Sequence, residues 1–317
     1  MTTSVQNRKA SERLVLKGCL SRPEIILVSM LVLSVLLSLL LSVLKAQPIA
    51  WGGFAMGLAP TVGLLAAGLY IRLFKNQPRI AQLAIANSLF LGFMGITTLL
   101  IYLRFPIAEL SFDKLLMQAD AALGYSWPQF LEVLAAYPDA GRALSYVYHS
   151  SLPQLFVMVG YLALTGRSDA LDRALMAGTF GLLLTTLIWW IVPSVGPSVF
   201  YDLPVGLEKK IDLVTNSTYA QILRTLSDQG LAVIAPSDIV GTIAFPSYHT
   251  IMALLVVWYL RGTALFIPAL ILNVAMVPAI LSHGGHHLTD MIGGIVVFAV
   301  SAWLAARPMV RGAADQD

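Results

Sequence analysis

Long stretches without a charged side chain constrain this chain more than any other feature. Residues 25–44, 50–71, 80–103, 143–166, 174–201, 247–260 and 263–281 contain no Asp, Glu, Lys or Arg, and 286–306 contains one acid, Asp290. A helix that crosses a bilayer needs about 20 apolar residues, so the pattern predicts an all-α, polytopic membrane bundle of eight spans. Composition agrees: 57% of the 317 residues are hydrophobic and 12% are charged, against about 25% charged in soluble domains. There is no basic cluster that would suit nucleic acid. The single cysteine, Cys19, rules out an intrachain disulfide and a cysteine zinc cage.

Lysine and arginine at the ends of spans mark the cytoplasmic side. Arg8, Lys9, Arg13, Lys17 and Arg22 precede the first span. Alternating from there puts Arg72, Lys75, Arg79, Arg167, Arg173, Arg261, Arg307 and Arg311 on the same side, thirteen of the 20 basic residues in all. Both termini are therefore expected in the cytoplasm. The expected organisation is a cytoplasmic segment over 1–23, three spans over 24–104, an outer interfacial segment over 105–142, a catalytic membrane core over 143–306 and a cytoplasmic tail over 307–317. In the outer segment, Ser111 to Ala122 reads as an amphipathic helix with Leu115, Leu116, Ala119 and Leu123 on one face and Asp113, Lys114 and Asp120 elsewhere. Lying on the bilayer as packing is its simplest role, and guiding a substrate is the alternative.

Polar residues inside a membrane are informative because they are expensive to keep there. Three of the five histidines fall in Ser282-His283-Gly284-Gly285-His286-His287-Leu288-Thr289-Asp290, and a fourth in Phe245-Pro246-Ser247-Tyr248-His249-Thr250. Both strings lie at the outer ends of their spans. His286 and Asp290 are four residues apart, so on a helix they share a face. A carboxylate there fixes the imidazole tautomer and leaves the other ring nitrogen as a nucleophile. Gly284 and Gly285 end the preceding helix and let a ligand approach the backbone. Ser247 is an N-cap candidate, and a helix start beside it offers free N–H groups to an anion. His249, in the first turn, is placed to protonate a leaving oxygen. The 12 residues from His249 to Arg261 span only about 18 Å of helix, which sets the site within the outer leaflet.

Pro246-Ser247-x-His249 and His286-x-x-x-Asp290 resemble the second and third motifs of the type 2 phosphatidic acid phosphatase (PAP2) superfamily. Phe-Pro-Ser-x-His followed by Gly-Gly-His-x-x-x-Asp resembles most the branch of inositol phosphorylceramide synthases and related bacterial proteins. The resemblance covers about residues 143–306. It implies that His286 attacks phosphorus, His249 protonates the leaving group and Asp290 orients the nucleophile, with no cofactor and no metal. It implies a phospholipid or lipid phosphate as substrate, a lipid alcohol as possible acceptor, and headgroup transfer or plain phosphatase activity. Two departures stand out: the first-motif string Lys-x6-Arg-Pro is absent, and the position six residues before His286 is Ile280, where an arginine is common. Lys209, Lys210, Arg224 and His283 are the outer-side candidates to meet a phosphate. Pro193-Ser194-x-Gly196-Pro197 stands where the first motif would, as a helix-ending turn or as a shaper of the phosphate site.

Other readings remain at this level. His149 is either a hydrogen-bonded structural histidine or a pocket residue. On a helix His287 sits about 100° round from His286 and is expected to support the site rather than react. His249, His286 and Asp290 also make a conceivable zinc set, which keeps a zinc-dependent or non-enzymatic membrane transporter as a second function class.

Overall fold

The computed structural model describes residues 19–107 and 109–307. Arg8, Lys9, Arg13, Lys17 and Arg311, used above for orientation, lie outside them. The described residues form 13 α-helices and no strands. They are α1 (Arg22–Leu44), α2 (Trp51–Phe74), α3 (Pro78–Tyr102), α4 (Ser111–Ala122), α5 (Trp127–Ala135), α6 (Pro138–His149), α7 (Ser151–Leu164), α8 (Ser168–Ile191), α9 (Leu207–Ile211), α10 (Ser217–Gln229), α11 (Tyr248–Tyr259), α12 (Phe266–His283) and α13 (Leu288–Ala305). Six of them, α1, α2, α3, α8, α12 and α13, are long and apolar enough to cross a membrane. The other two expected spans rest on shorter helices, α7 with 14 residues and α11 with 12. Ser150, between α6 and α7, keeps helical angles (φ −74°, ψ −11°), so the expected 143–166 span runs through the end of α6 and all of α7.

The main core lies where α3, α7, α8, α11 and α13 meet, with Leu89, Phe93, Leu162, Leu171, Met176, Ile251, Leu255 and Phe298 buried together. Outward faces are equally apolar: Leu33, Leu36, Leu40, Met56, Val62, Ile271 and Val296 are all exposed. A bundle hydrophobic on both faces is one whose solvent is lipid.

Polar contacts tie the two ends differently. At one end Arg72 reaches Glu24 through two bonds of 2.6 and 2.8 Å, joining α1 to α2. At the same end Arg79 donates to the Leu164 carbonyl, and Arg167 to that of Gly262. At the other end the 45–50 turn pairs with the loop after α10, through Ala50 N–H to the Ile234 carbonyl and Ile234 N–H to that of Pro48, both 2.9 Å. The histidine motifs lie at this second end, opposite the arginine-rich turns.

Candidate active site

α12 stops at His283, Gly284 caps it, and the chain turns through Gly285 and His286 into α13. The expectation that His286 and Asp290 share a helix face is corrected here. α13 begins only at Leu288, with His287 as its N-cap, so His286 lies in the turn. The pair still meets: His286 Nδ1 is 3.0 Å from Asp290 Oδ2, and that oxygen also accepts the His287 N–H at 2.8 Å. Asp290 is the third residue of α13, where a carboxylate serves as the return half of a capping box. The same side chain thus starts the helix and holds the imidazole.

The second motif docks on the third through the backbone, Ser247 N–H to the Asp290 carbonyl at 3.0 Å. Ser247 is the N-cap of α11 and accepts the Thr250 N–H at 3.3 Å, while its Oγ lies 3.4 Å from His286 Nε2. His249, second residue of α11, faces His286 with ring centroids 5.8 Å apart, and the Tyr148 ring lies over it at 4.6 Å and 31°. Ser247, His286 and Asp290 are buried, with 0, 2 and 0% exposure. With Nδ1–H given to the carboxylate, an imidazole carries its lone pair on Nε2. Here that nitrogen looks toward Ser247 and His249.

Glycine is required where the turns touch. Gly196 (φ +90°) and Gly285 (φ +57°) are both in the region that side chains avoid. A Cβ on Gly196 would strike the Gly285 carbonyl oxygen, and one on Gly285 would lie 2.9 Å from Thr215 Oγ1. The Pro193–Pro197 string therefore packs directly against the turn that carries His286.

α4 supplies what the sequence reading missed. Leu115 and Leu123 are 56 and 57% exposed, as on a helix that meets the bilayer, but Leu116 of the same expected face is buried and Asp113 and Asp120 are 0 and 4% exposed. With lipid outside, the apolar face belongs outward and the acids inward. The Asp120 carboxylate accepts from Leu288 N–H at 3.2 Å, Thr289 N–H at 3.1 Å and the Thr289 hydroxyl at 3.1 Å, and sits 3.0 Å from His287 Nδ1. The Asp113 carboxylate accepts from the Ser194 hydroxyl at 2.8 Å and from the N–H groups of Val195 and Gly196 at 3.1 and 2.9 Å. His287 Nε2 lies 3.7 Å from Asp113. α4 is thus a clamp between the 194–196 loop and the start of α13, with His287 between its two acids. The spacing of seven residues, two turns on one face, was the legible signal.

The remaining site candidates disperse. His283 is fully buried, but its Nε2 lies 2.9 Å from the Gly141 carbonyl of α6, away from His286. His149 is exposed and bonds its own helix at the Ser145 carbonyl, 2.8 Å. Arg224 donates to the Val199 carbonyl at 2.7 Å, and none of Lys209, Lys210 and Arg224 bonds His249, His286 or Asp290. Among the described residues no group of three or more His, Cys, Asp or Glu side chains is arranged to hold a metal ion.

The clamp carries a prediction. Asp120→Ala removes the acceptor for three donors at the start of α13 and leaves His287 Nδ1 without its carboxylate. Loss of such a cap, with buried donors left unpaired, costs about 2–3 kcal/mol. Thermal unfolding in detergent should show a clear drop in midpoint for Asp120→Ala and a smaller one for Asp120→Asn. An unchanged midpoint for Asp120→Ala would mean that the clamp bears no stability.

No curated protein and no solved structure matches the chain. Residues 114–304, well over half of its length and the stretch that holds both histidine motifs and α4 from Lys114 onward, match the PAP2 superfamily, and the chain belongs to that superfamily, whose members are typically phosphatases or phosphotransferases.

Proposed function

We propose that this protein is a membrane-embedded transferase that moves the phosphoryl-bearing headgroup of a phospholipid to a lipid alcohol through a phosphohistidine at His286. One observation carries the reading: His286 Nδ1 is held by Asp290 at 3.0 Å while the ring faces His249 across 5.8 Å. In the first step Nε2 attacks phosphorus, the P–O bond to the lipid alcohol breaks, and His249 gives that oxygen a proton. In the second step the acceptor hydroxyl gives its proton to His249 and its oxygen attacks phosphorus, which frees His286. The start of α11 is suited to the phosphoryl oxygens: Ser247 caps only the Thr250 N–H, so the N–H groups of Tyr248 and His249 remain for an anion at the positive end of the helix.

Two features favour transfer over hydrolysis. His286 and Asp290 are almost wholly buried, which restricts water at the intermediate. The positive groups expected from the family's first motif are missing, and a carboxylate, Asp113, holds the N–H groups of the loop in that place. The deciding experiment is partitioning. Labelled phosphatidylinositol or phosphatidic acid is supplied with increasing ceramide or diacylglycerol. Transfer predicts a new phospholipid that grows with acceptor while release of the water-soluble product falls. Undiminished release, with no acceptor product at any concentration, makes lipid phosphate phosphatase the better reading.

The proposed orientation sets the site on the non-cytoplasmic face, because Arg72, Arg79, Arg167 and Arg261 cap the opposite end. For a bacterial source this is the periplasmic face of the inner membrane. A cysteine placed at Glu208 should react with an impermeant reagent on intact cells, and one at Gly166 should not. The reverse pattern would turn the protein over.

A further inference from the structure

Three carboxylates are buried around the catalytic turn: Asp113 and Asp120 of α4 and Asp290 of α13. Among the described residues no lysine or arginine forms an ion pair with any of them. Arg72, Arg142 and Arg173 pair with Glu24, Asp139 and Asp169 instead. Carboxylates taken out of water need a counter-charge. His287 is buried among them, next to the nucleophile, and the proposed mechanism gives it no task.

Both ring nitrogens of His287 face acids. Nδ1 is 3.0 Å from Asp120 Oδ2, and Nε2 is 3.7 Å from Asp113 Oδ1. The backbone N–H of the same residue donates to Asp290 Oδ2, the oxygen that also holds His286 Nδ1. A neutral imidazole has one N–H and one lone pair. Whichever nitrogen carried the single proton, the other would aim a lone pair at a carboxylate. Nε2 has no hydrogen-bond partner that would change this. Asp113 accepts from the Ser194 hydroxyl and the N–H groups of Val195 and Gly196, and Asp120 from Leu288, Thr289 and the Thr289 hydroxyl, which is the bonding of ionised carboxylates. Of the other titratable groups at the clamp, His286 must keep a free lone pair to attack, and Tyr125 has no positive form.

We propose that His287 is a doubly protonated imidazolium, a buried cation that locks α4, the 194–196 loop and the catalytic turn together and so positions His286 through Asp290. Without it, two like charges would face each other along one side of α4, each holding a different segment. With it, their repulsion becomes two attractions to one ring, and that ring belongs to the residue whose N–H fixes the Asp290 carboxylate. His287 is a positioning residue and touches no reacting atom. Its positioning role rests on the reading of His286 as nucleophile, whereas its charge does not.

The test uses the full-length protein in nanodiscs and has two parts. Nitrogen-15 NMR of histidine-labelled protein at about pH 8, where an ordinary histidine is neutral, reads the protons on each ring. The signals of His287 are assigned by replacing the other four histidines one at a time. Both nitrogens should carry protons, and one bare nitrogen overturns the cation. The second part is charge balance. His287→Gln should lower the thermal unfolding midpoint by at least about 4 °C. It should also slow labelling of His286 from phosphorus-labelled phosphatidylinositol or phosphatidic acid by about 10-fold or more, because the nucleophile is held less exactly, with substrate affinity near wild type. His287→Gln combined with Asp113→Asn removes one charge of each sign. It should recover at least about half of the lost midpoint and part of the labelling rate, whereas losses of packing alone would add. Additive losses overturn the charge role, and a recovered midpoint with no recovery of rate overturns the positioning. If the wild-type protein forms no labelled histidine, the phosphohistidine reading fails, and the NMR and the midpoints still decide whether His287 is the cation.

Discussion

His286→Ala should abolish turnover, a loss of about 10⁴-fold or more, because no other nitrogen is placed to take the phosphoryl group. His249 faces the same space but has no carboxylate to fix its tautomer, and the Nδ1 of His287 lies 3.0 Å from Asp120 instead. A donor labelled at phosphorus should leave an acid-labile, base-stable label on the wild-type protein and none on His286→Ala. Label retained on the variant would move the nucleophile elsewhere. His249→Ala should behave differently. It removes only the proton for the departing oxygen, so its effect should scale with how badly that oxygen needs one. Lipid substrates, with alkoxide leaving groups, should suffer most, and an activated aryl phosphate ester least. Equal losses on both substrates would remove His249 from the general-acid role.

The membrane class of the fold was legible because charge-free runs of about 20 residues have few other uses. The count of spans was less so. The 12 residues of α11 and 14 of α7 are too short to announce a span by themselves, and only their neighbours in the bundle give them a place. Within the site, the i, i+4 pairing of His286 and Asp290 was readable from spacing, but its setting was not. A turn with the capping residue at Asp290 produces the same contact as a helix face, and sequence cannot choose between them.

The role of the α4 acids was missed for a physical reason. A helix lying on the bilayer turns Leu115 and Leu123 to lipid, as they are, but that reading gave Asp113 and Asp120 no partner. With lipid on the apolar side, Asp113 and Asp120 turn inward to the N–H groups of the 194–196 loop and the start of α13, contacts between distant segments that spacing alone does not show. Backbone donors that could have met a phosphate are thereby held by the protein's own carboxylates. On the proposed reading, this leaves the start of α11 for the phosphoryl oxygens. It also explains how a chain without the first-motif cations keeps that loop ordered.

Asp290→Asn should cost about 10²–10⁴ in kcat while leaving the fold intact. Most contacts that build the turn survive: the Asp290 carbonyl still accepts the Ser247 N–H at 3.0 Å, and with its oxygen toward His286 the amide still accepts the His287 N–H that Oδ2 takes at 2.8 Å. What changes is the imidazole. If the amide oxygen stays toward His286, the tautomer is kept, but the negative charge that stabilises a cationic phosphohistidine is gone. Its NH₂ then occupies the place of Oδ1, which has no partner in the native site, and two buried donors go unpaired. If the amide flips, its NH₂ meets His286 Nδ1 and forces the proton onto Nε2, which removes the attacking lone pair. Either orientation slows formation of the intermediate, and the flipped one nearly stops it. Single-turnover labelling should therefore show a slow build-up of phosphohistidine, with substrate affinity close to wild type and an unfolding midpoint lowered by no more than a few degrees. Labelling at the wild-type rate would show that Asp290 shapes the turn and takes no part in orienting or stabilising the nucleophile.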